Sequence, residues 1–223
     1  MGWCATVARS VARHLAVYSG SRMAEPGAVV LSFDDGPGPS TAELLEVLRA
    51  HGVRATFFML GSNVEGWYAR AVRVAEEGHV LGNHGYSHAR PGSLDRDAFA
   101  REIERTDRLL ARVAREAQVP FVSPPPVRLP YGPAAEDERL TVLASLGRAH
   151  VHWTACFEDW EDPDPAVLVA RMRVHIEEQR ALARPAVLDL HDASRTGARR
   201  GATVEAVRRL LHDPVMRGLM TSA

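Results

Sequence analysis

The stretch AVVLSFDDGPGPS (28–40) sets the problem. Its first six residues (28–33), apolar apart from Ser32, read as a buried strand that runs straight into two adjacent carboxylates, Asp34 and Asp35. Gly36 and Pro37 signal a turn, and Asp is common in turns because its side chain bonds nearby amides. Two together are different. Side-by-side carboxylates at a strand end repel unless a cation or a proton intervenes.

Outward from this stretch, short apolar runs alternate with helical patterns. Ser40 with Glu43 three residues on predicts a capping box opening a helix that ends at Gly52. Strands are expected at 55–60 and 79–84 (HVLGNH), with a helix at 64–77 between them. From Ser93 a helix is marked by Phe99, Ile103, Thr106, Leu110 and Val113 at spacings of three and four. The proline-rich VPFVSPPPVRLPYGP (119–133) reads as a loop delivering a short strand at 126–129. A helix near 134–146, a strand near 149–155, a helix near 164–180, a strand at 185–190 and a helix near 203–212 follow, with Asp213-Pro214 punctuating the end. Such alternation means α/β with a parallel sheet of about six to seven strands. By pattern alone, open doubly wound and closed forms both fit. The polar residues favour a barrel. Asp34, Asp35, His84, His88, Arg128, Trp160 and His191 all fall at or just beyond the C-terminal ends of expected strands, where a barrel builds its sites.

Composition excludes several alternatives. With 46% apolar and 25% charged residues in 223, the chain has enough for one core. The formal net charge of −1 gives no footprint for nucleic acid or an anionic membrane. Every basic residue is Arg, so Schiff-base and phosphate-loop lysine chemistry are absent. Two cysteines, Cys4 and Cys156, make neither a disulfide framework nor a thiolate zinc cluster. Residues 1–27 are expected to form an arm or a short extra helix ahead of one domain spanning 28–223. Their apolar stretches are shorter than a signal-peptide core or membrane span, so a cytoplasmic protein is expected. No surface stripe speaks for or against a dimer.

In GHVLGNHGYSHAR (78–90), His84 and His88 are four residues apart, a spacing that on a helical turn puts both imidazoles on one face. With a carboxylate from another strand end they make a two-His, one-carboxylate set, the pattern of a catalytic metal with open positions. Either Asp34 or Asp35 can be the third ligand, leaving the other as general base. His191, at the end of the last strand, is a candidate acid for the leaving group.

The ordered series FDDG, NHGYSH, RLPYG, FEDW and LDLHD, from about 28 to 212, resembles the NodB-like polysaccharide deacetylases (carbohydrate esterase family 4). The resemblance implies a distorted (β/α) barrel of NodB-homology type and a metal-dependent N-deacetylase acting on an N-acylated amino sugar, oligosaccharide or small biosynthetic intermediate. It implies Asp34 as base, Asp35, His84 and His88 as ligands of Zn²⁺ (or Co²⁺, Ni²⁺ or Mn²⁺), and Arg128 orienting the base. Pro130 and Tyr131 would line the groove, with the Tyr131 amide as oxyanion donor. Trp160 would wall the acyl pocket, and His191 would be the acid. Two positions depart from the pattern. Cys156 stands where motif four usually begins with an Asp that pairs with the catalytic histidine, and Asp189 replaces a Leu in motif five. Since residues 189 and 191 share a strand face, either Asp189 supplies the missing carboxylate or it faces elsewhere and the site is reshaped; it is also a candidate substrate-binding residue. The alternatives are hydrolysis of a non-carbohydrate amide, or a metal-containing carbohydrate-binding module without turnover. Cys156 itself reads as a buried small apolar residue.

Overall fold

The computed structural model describes residues 27–220, and the expected arm at 1–27 lies outside these apart from Gly27. The VVLSFD run folds as β1 (Val29–Asp34), buried throughout because both its faces are covered. Val29, Leu31 and Phe33 pack into the main apolar cluster against the helices. The alternate residues Val30, Ser32 and Asp34 take the opposite face, as strand alternation requires. The C-terminal strand β5 (Ala186–His191) pairs with β1 in parallel over six residues, from Val29 against Ala186 to Asp34 against His191. Its Ala186, Leu188 and Leu190 join the same cluster, leaving Val187, Asp189 and His191 on the inner side.

On the other side of β1 lie β2 (Thr56–Met59) and β3 (Val80–Asn83), giving the order β3-β2-β1-β5-β4 with β4 (Ala155–Cys156) at the far edge. The five-stranded ladder is not closed. Isolated parallel bridges, Asn83 with Val127 and Val127 with His150, continue the pairing beyond β3, and the chain after His150 returns to β5 as β4. The architecture is therefore a distorted (β/α) barrel, with five strands where six to seven were expected. The expected strands at 126–129 and 149–155 shrink to single bridges and a two-residue strand. Prolines at 124, 125, 126 and 130 remove the amide donors a ladder needs.

The helices, in chain order, are α1 (Thr41–His51), α2 (Gly61–Gly66), α3 (Tyr68–Glu76), α4 (Arg96–Glu116), α5 (Glu138–Ser145), α6 (Pro165–Ala181), α7 (Gly201–His212) and α8 (Pro214–Leu219). The single helix expected at 64–77 is two, broken at Trp67 (φ −127°, ψ 39°). The capping box at Ser40 does not form, because the Ser40 hydroxyl accepts instead from the Arg200 amide (2.8 Å). Asp95, Asp137, Asp164 and Asp213 cap α4, α5, α6 and α8 through their side chains. Asp213-Pro214 thus starts a helix rather than ending the chain's structure, Pro fitting the first helical position. Among the described residues, no helix is long and apolar enough to cross a membrane.

Candidate active site

The parallel register delivers the polar strand ends to one mouth. Asp34 sits opposite His191, and Met59 opposite Asn83, so Asp35 follows β1 and His84 follows β3, with β2 between them. The turn carrying His84 and His88 is not helical. Gly85 (φ 77°) and His88 (φ 57°) are left-handed, and this bend brings the imidazole centroids to 5.4 Å. Asn83 and Glu102 hold the bend. The Asn83 Oδ1 accepts from the Gly85 amide (2.7 Å), and Glu102 accepts from the amides of Tyr86 and Ser87 (3.3 and 3.2 Å). Asp35 (φ 69°) and Tyr131 (φ 64°) are also left-handed, so three non-glycine residues of the site carry backbone strain worth roughly 1–3 kcal/mol each.

Ligand atoms of Asp35, His84 and His88 all lie within 4.8 Å of one another. The Asp35 Oδ1 is 3.2 Å from the His88 Nε2 and 3.6 Å from the His84 Nε2. This oxygen is buried and accepts no hydrogen bond, an expensive state that a cation relieves. The His84 Nδ1 faces the Arg128 carbonyl at 2.8 Å. A carbonyl only accepts, so Nδ1 carries the proton and the Nε2 lone pair points to the set. Burial, then the Arg128 charge, pushes His84 down to about 3. Burial, then His84, does the same to His88. Both imidazoles are therefore neutral ligands at pH 7. Burial raises Asp35 to about 7, and a bound cation would supply the missing counter-charge. These residues fit a divalent metal, and of the two adjacent carboxylates it is Asp35 that belongs to the set.

Asp34 has a different partner. Arg128 is fully buried, and its Nη1 donates to the Asp34 Oδ1 (2.8 Å), the Asp189 Oδ1 (3.0 Å) and the Ser32 hydroxyl (2.8 Å). Its guanidinium also lies over the Phe58 ring at 4.1 Å. Burial pushes the Asp34 carboxyl up, while Arg128 pulls against it. One buried cation thus sits between two buried carboxylates.

His191 is where the expectation from sequence is corrected. Its Nδ1 meets the Asp159 Oδ1 at 2.9 Å, and Asp189 is turned to Arg128 instead. The Asp159 Oδ2 accepts from the His191 amide (2.8 Å) and the Thr203 hydroxyl (2.6 Å), so this carboxylate is satisfied on both oxygens. Burial alone would push His191 down, but the Asp159 hydrogen bond and charge, aided by Asp189 and Asp34, hold it at about 10. Motif four therefore does not lack its histidine partner. Sequence reasoning missed Asp159 by weighing only the Cys156 position, although an acid stands directly before Trp160 in FEDW. The feature that favoured a binding module without turnover is accordingly gone.

Asp34, Asp35, His84, His88, Asp189 and His191 line a cavity of about 480 Å³, with Arg128 and Asp159 buried behind them. The Trp160 ring stands edge-on to His191 at 5.0 Å, and the exposed Tyr131 ring edge-on to His88 at 4.5 Å. Trp153, a wall residue that sequence reasoning missed, packs so tightly on Gly132 that a Cβ there would meet its ring at 2.8 Å. Pro130 lies buried behind the wall, its carbonyl accepting from Arg139 (3.0 Å). Cys156 is half-buried rather than buried, and it lines the cavity beside Asp189. Its thiol, pushed up to about 12 by burial and Asp189, is no nucleophile.

Comparison with known proteins accords with this geometry. The chain is 33% identical over 197 residues to a chitooligosaccharide deacetylase of Sinorhizobium fredii, covering 83% of this chain and 86% of that protein. It is 37% identical over 134 residues to a peptidoglycan-N-acetylglucosamine deacetylase of Bacillus cereus, covering 60% of this chain but spanning only 46% of that relative. Its fold matches a family 4 carbohydrate esterase from Streptomyces lividans, solved in complex with acetate. The TM-score is 0.71 and the identity 27%, over 89% of this chain and 93% of that one. The family model described as polysaccharide deacetylase matches residues 21–151, more than half of the chain, and the protein belongs to the polysaccharide deacetylase family.

Proposed function

We propose that this protein removes an N-acetyl group from an amino sugar or a short oligosaccharide of amino sugars by hydrolysis. The observation that carries this reading is the convergence, in one cavity, of the Asp35, His84 and His88 set with two separately paired groups, Asp34 on Arg128 and His191 on Asp159. The relatives named as deacetylases support the reading, as does the acetate found with the related esterase, since acetate is the acid such a reaction releases. Zn²⁺ suits the two imidazoles and one carboxylate best, while Co²⁺, Ni²⁺ and Mn²⁺ can use the same donors. When bound, such a cation polarises the amide carbonyl and lowers the pKa of water toward neutrality.

The chain's own groups then divide the proton work. Asp34, oriented by Arg128, accepts the proton of the attacking water. The Tyr131 amide donates to the carbonyl oxygen as negative charge develops there. His191, its Nδ1 side held by Asp159, delivers a proton from Nε2 to the departing amine nitrogen. Trp160 walls the acyl side. Two titrating groups of opposite role give a bell-shaped pH profile.

The test is amine release from N-acetylglucosamine oligomers by protein stripped of metal and reloaded. Asp34→Asn is expected to lower turnover by about 10²–10⁴-fold while oligomer binding persists. Full activity in that variant would overturn the assignment of the base. Metal binding is checked separately by thermal unfolding. A free Zn²⁺ concentration about a hundredfold above Kd should add about 2.7 kcal/mol of stability. His88→Ala should abolish that increment, and an unchanged shift would place the cation elsewhere.

A second reading, hydrolysis of a non-sugar amide, is favoured by one observation. Asp189 and Cys156 put polar atoms on the cavity wall, and these could meet an acyl group other than acetyl. A panel of N-acyl substrates with and without a sugar ring separates the two.

A further inference from the structure

Beside the main cavity lies a second depression of about 290 Å³, which shares His88 and Tyr131 with it. Its remaining lining includes Ser87, Ser93, Arg90 and Arg195, and no carboxylate. Arg90 comes from the bend after β3 and lies 5.3 Å over the Tyr131 ring. Arg195 comes from the turn after β5, where the Ser194 hydroxyl accepts from the amides of Thr196 and Ala198 (3.2 and 2.8 Å). Among the described residues neither arginine has an ion-pair partner. Much of the arginine complement elsewhere does, as with Arg73 and Glu77, Arg148 and Asp107, or Arg208 and Glu205. The charge of Arg195 is felt at His88, and that of Arg200, held at the opposite rim by the Ala193 carbonyl (3.0 Å), is felt at Asp35.

Two guanidinium groups that line one depression without a carboxylate repel, and in a chain of net charge −1 they are not the by-product of a basic surface. The planar forks suit a carboxylate, which accepts two parallel hydrogen bonds from each. The half-exposed Tyr131 ring between the two cavities offers an apolar face on which a sugar can stack. We propose that the Arg90 and Arg195 shelf binds a carboxylate on the sugar adjacent to the one being deacetylated, so that the enzyme selects acidic over neutral amino-sugar chains. This rests on the deacetylase reading above, and adds to it the charge of the substrate.

The test compares chitotetraose with the same tetramer carrying C6 carboxylates. For the wild-type holoenzyme at low salt, kcat/KM for the carboxylated chain should exceed that for the neutral one roughly tenfold, through KM, and the ratio should shrink in 0.5 M salt, a concentration of about that order screening such contacts. In Arg90→Gln/Arg195→Gln the ratio should fall to about one, consistent with loss of charge-assisted bonds. Equal kinetics in the wild type, or a double variant that slows both substrates by the same factor, would overturn the proposal. Calorimetric binding of the two tetramers is measured in parallel. If neither releases amine, the deacetylase reading fails, and the shelf still stands or falls on whether the carboxylated chain binds tighter in an arginine-dependent way.

Discussion

Replacing Asp159 with Asn is expected to cut turnover by about 10²–10⁴-fold and to move the alkaline limb of the pH profile down by more than one unit. The cause is visible around His191. Burial opposes its charge, and the Asp159 carboxylate at 2.9 Å is the chief reason it is held at about 10. The protonated form is present below that value and is lost as pH rises through it. With an amide at 159 the hydrogen bond and the charge both weaken, burial prevails, and the acid is spent at lower pH. The same linkage acts on stability. A raised histidine pKa stabilises the fold fully below the unfolded value of about 6.5, and this is lost as pH rises toward 10. The wild type should therefore lose more stability than the variant between neutral and strongly alkaline pH. Coincident pH-rate profiles of the two proteins would show that Asp159 does not tune the acid.

Arg128→Met should destabilise the protein by about 3–5 kcal/mol, because it strands two buried carboxylates, Asp34 and Asp189, without their shared cation. Urea unfolding reads the loss directly. Adding Asp189→Leu to Arg128→Met should recover part of it, since one of the two stranded charges is then gone and an apolar side chain fills the space. A melting curve for Arg128→Met that overlays the wild type would mean the guanidinium contributes position without charge balance. Turnover should fall in the single and the double variant alike, because in both Asp34 loses the donor that orients it.

The order of the elements and the chemistry they carry were legible along the chain. The run ending in Asp34 and Asp35, the His84 and His88 pair, and His191 after AVLDL each mark the end of a strand. In a parallel sheet all such ends share one side, so residue type and strand boundary together place these groups at one mouth. Helix stops at Gly52 and the face marked by Phe99, Ile103, Thr106, Leu110 and Val113 were legible for the same reason, because periodicity is local. The prolines at 124, 125 and 126 were legible too, but their effect on strand count depends on which amides the neighbouring strands require.

Partnership was decided by tertiary structure alone. That Asp189 turns to Arg128, that Asp159 rather than Asp189 holds His191, and that Arg90 and Arg195 face one depression are distances between residues far apart in the chain. Residues 189 and 191 do share a strand face, as alternation dictates, yet sharing a face does not choose a partner. Both acids were equally available on paper. A buried guanidinium needs carboxylates within hydrogen-bond reach and claims Asp189, while the left-handed turn at Glu158 aims Asp159 at the histidine. Residue type and strand boundary set which groups arrive at the mouth. Only the packed barrel, by fixing register and by imposing the full cost of any buried unpaired ion, decided which of them bind one another.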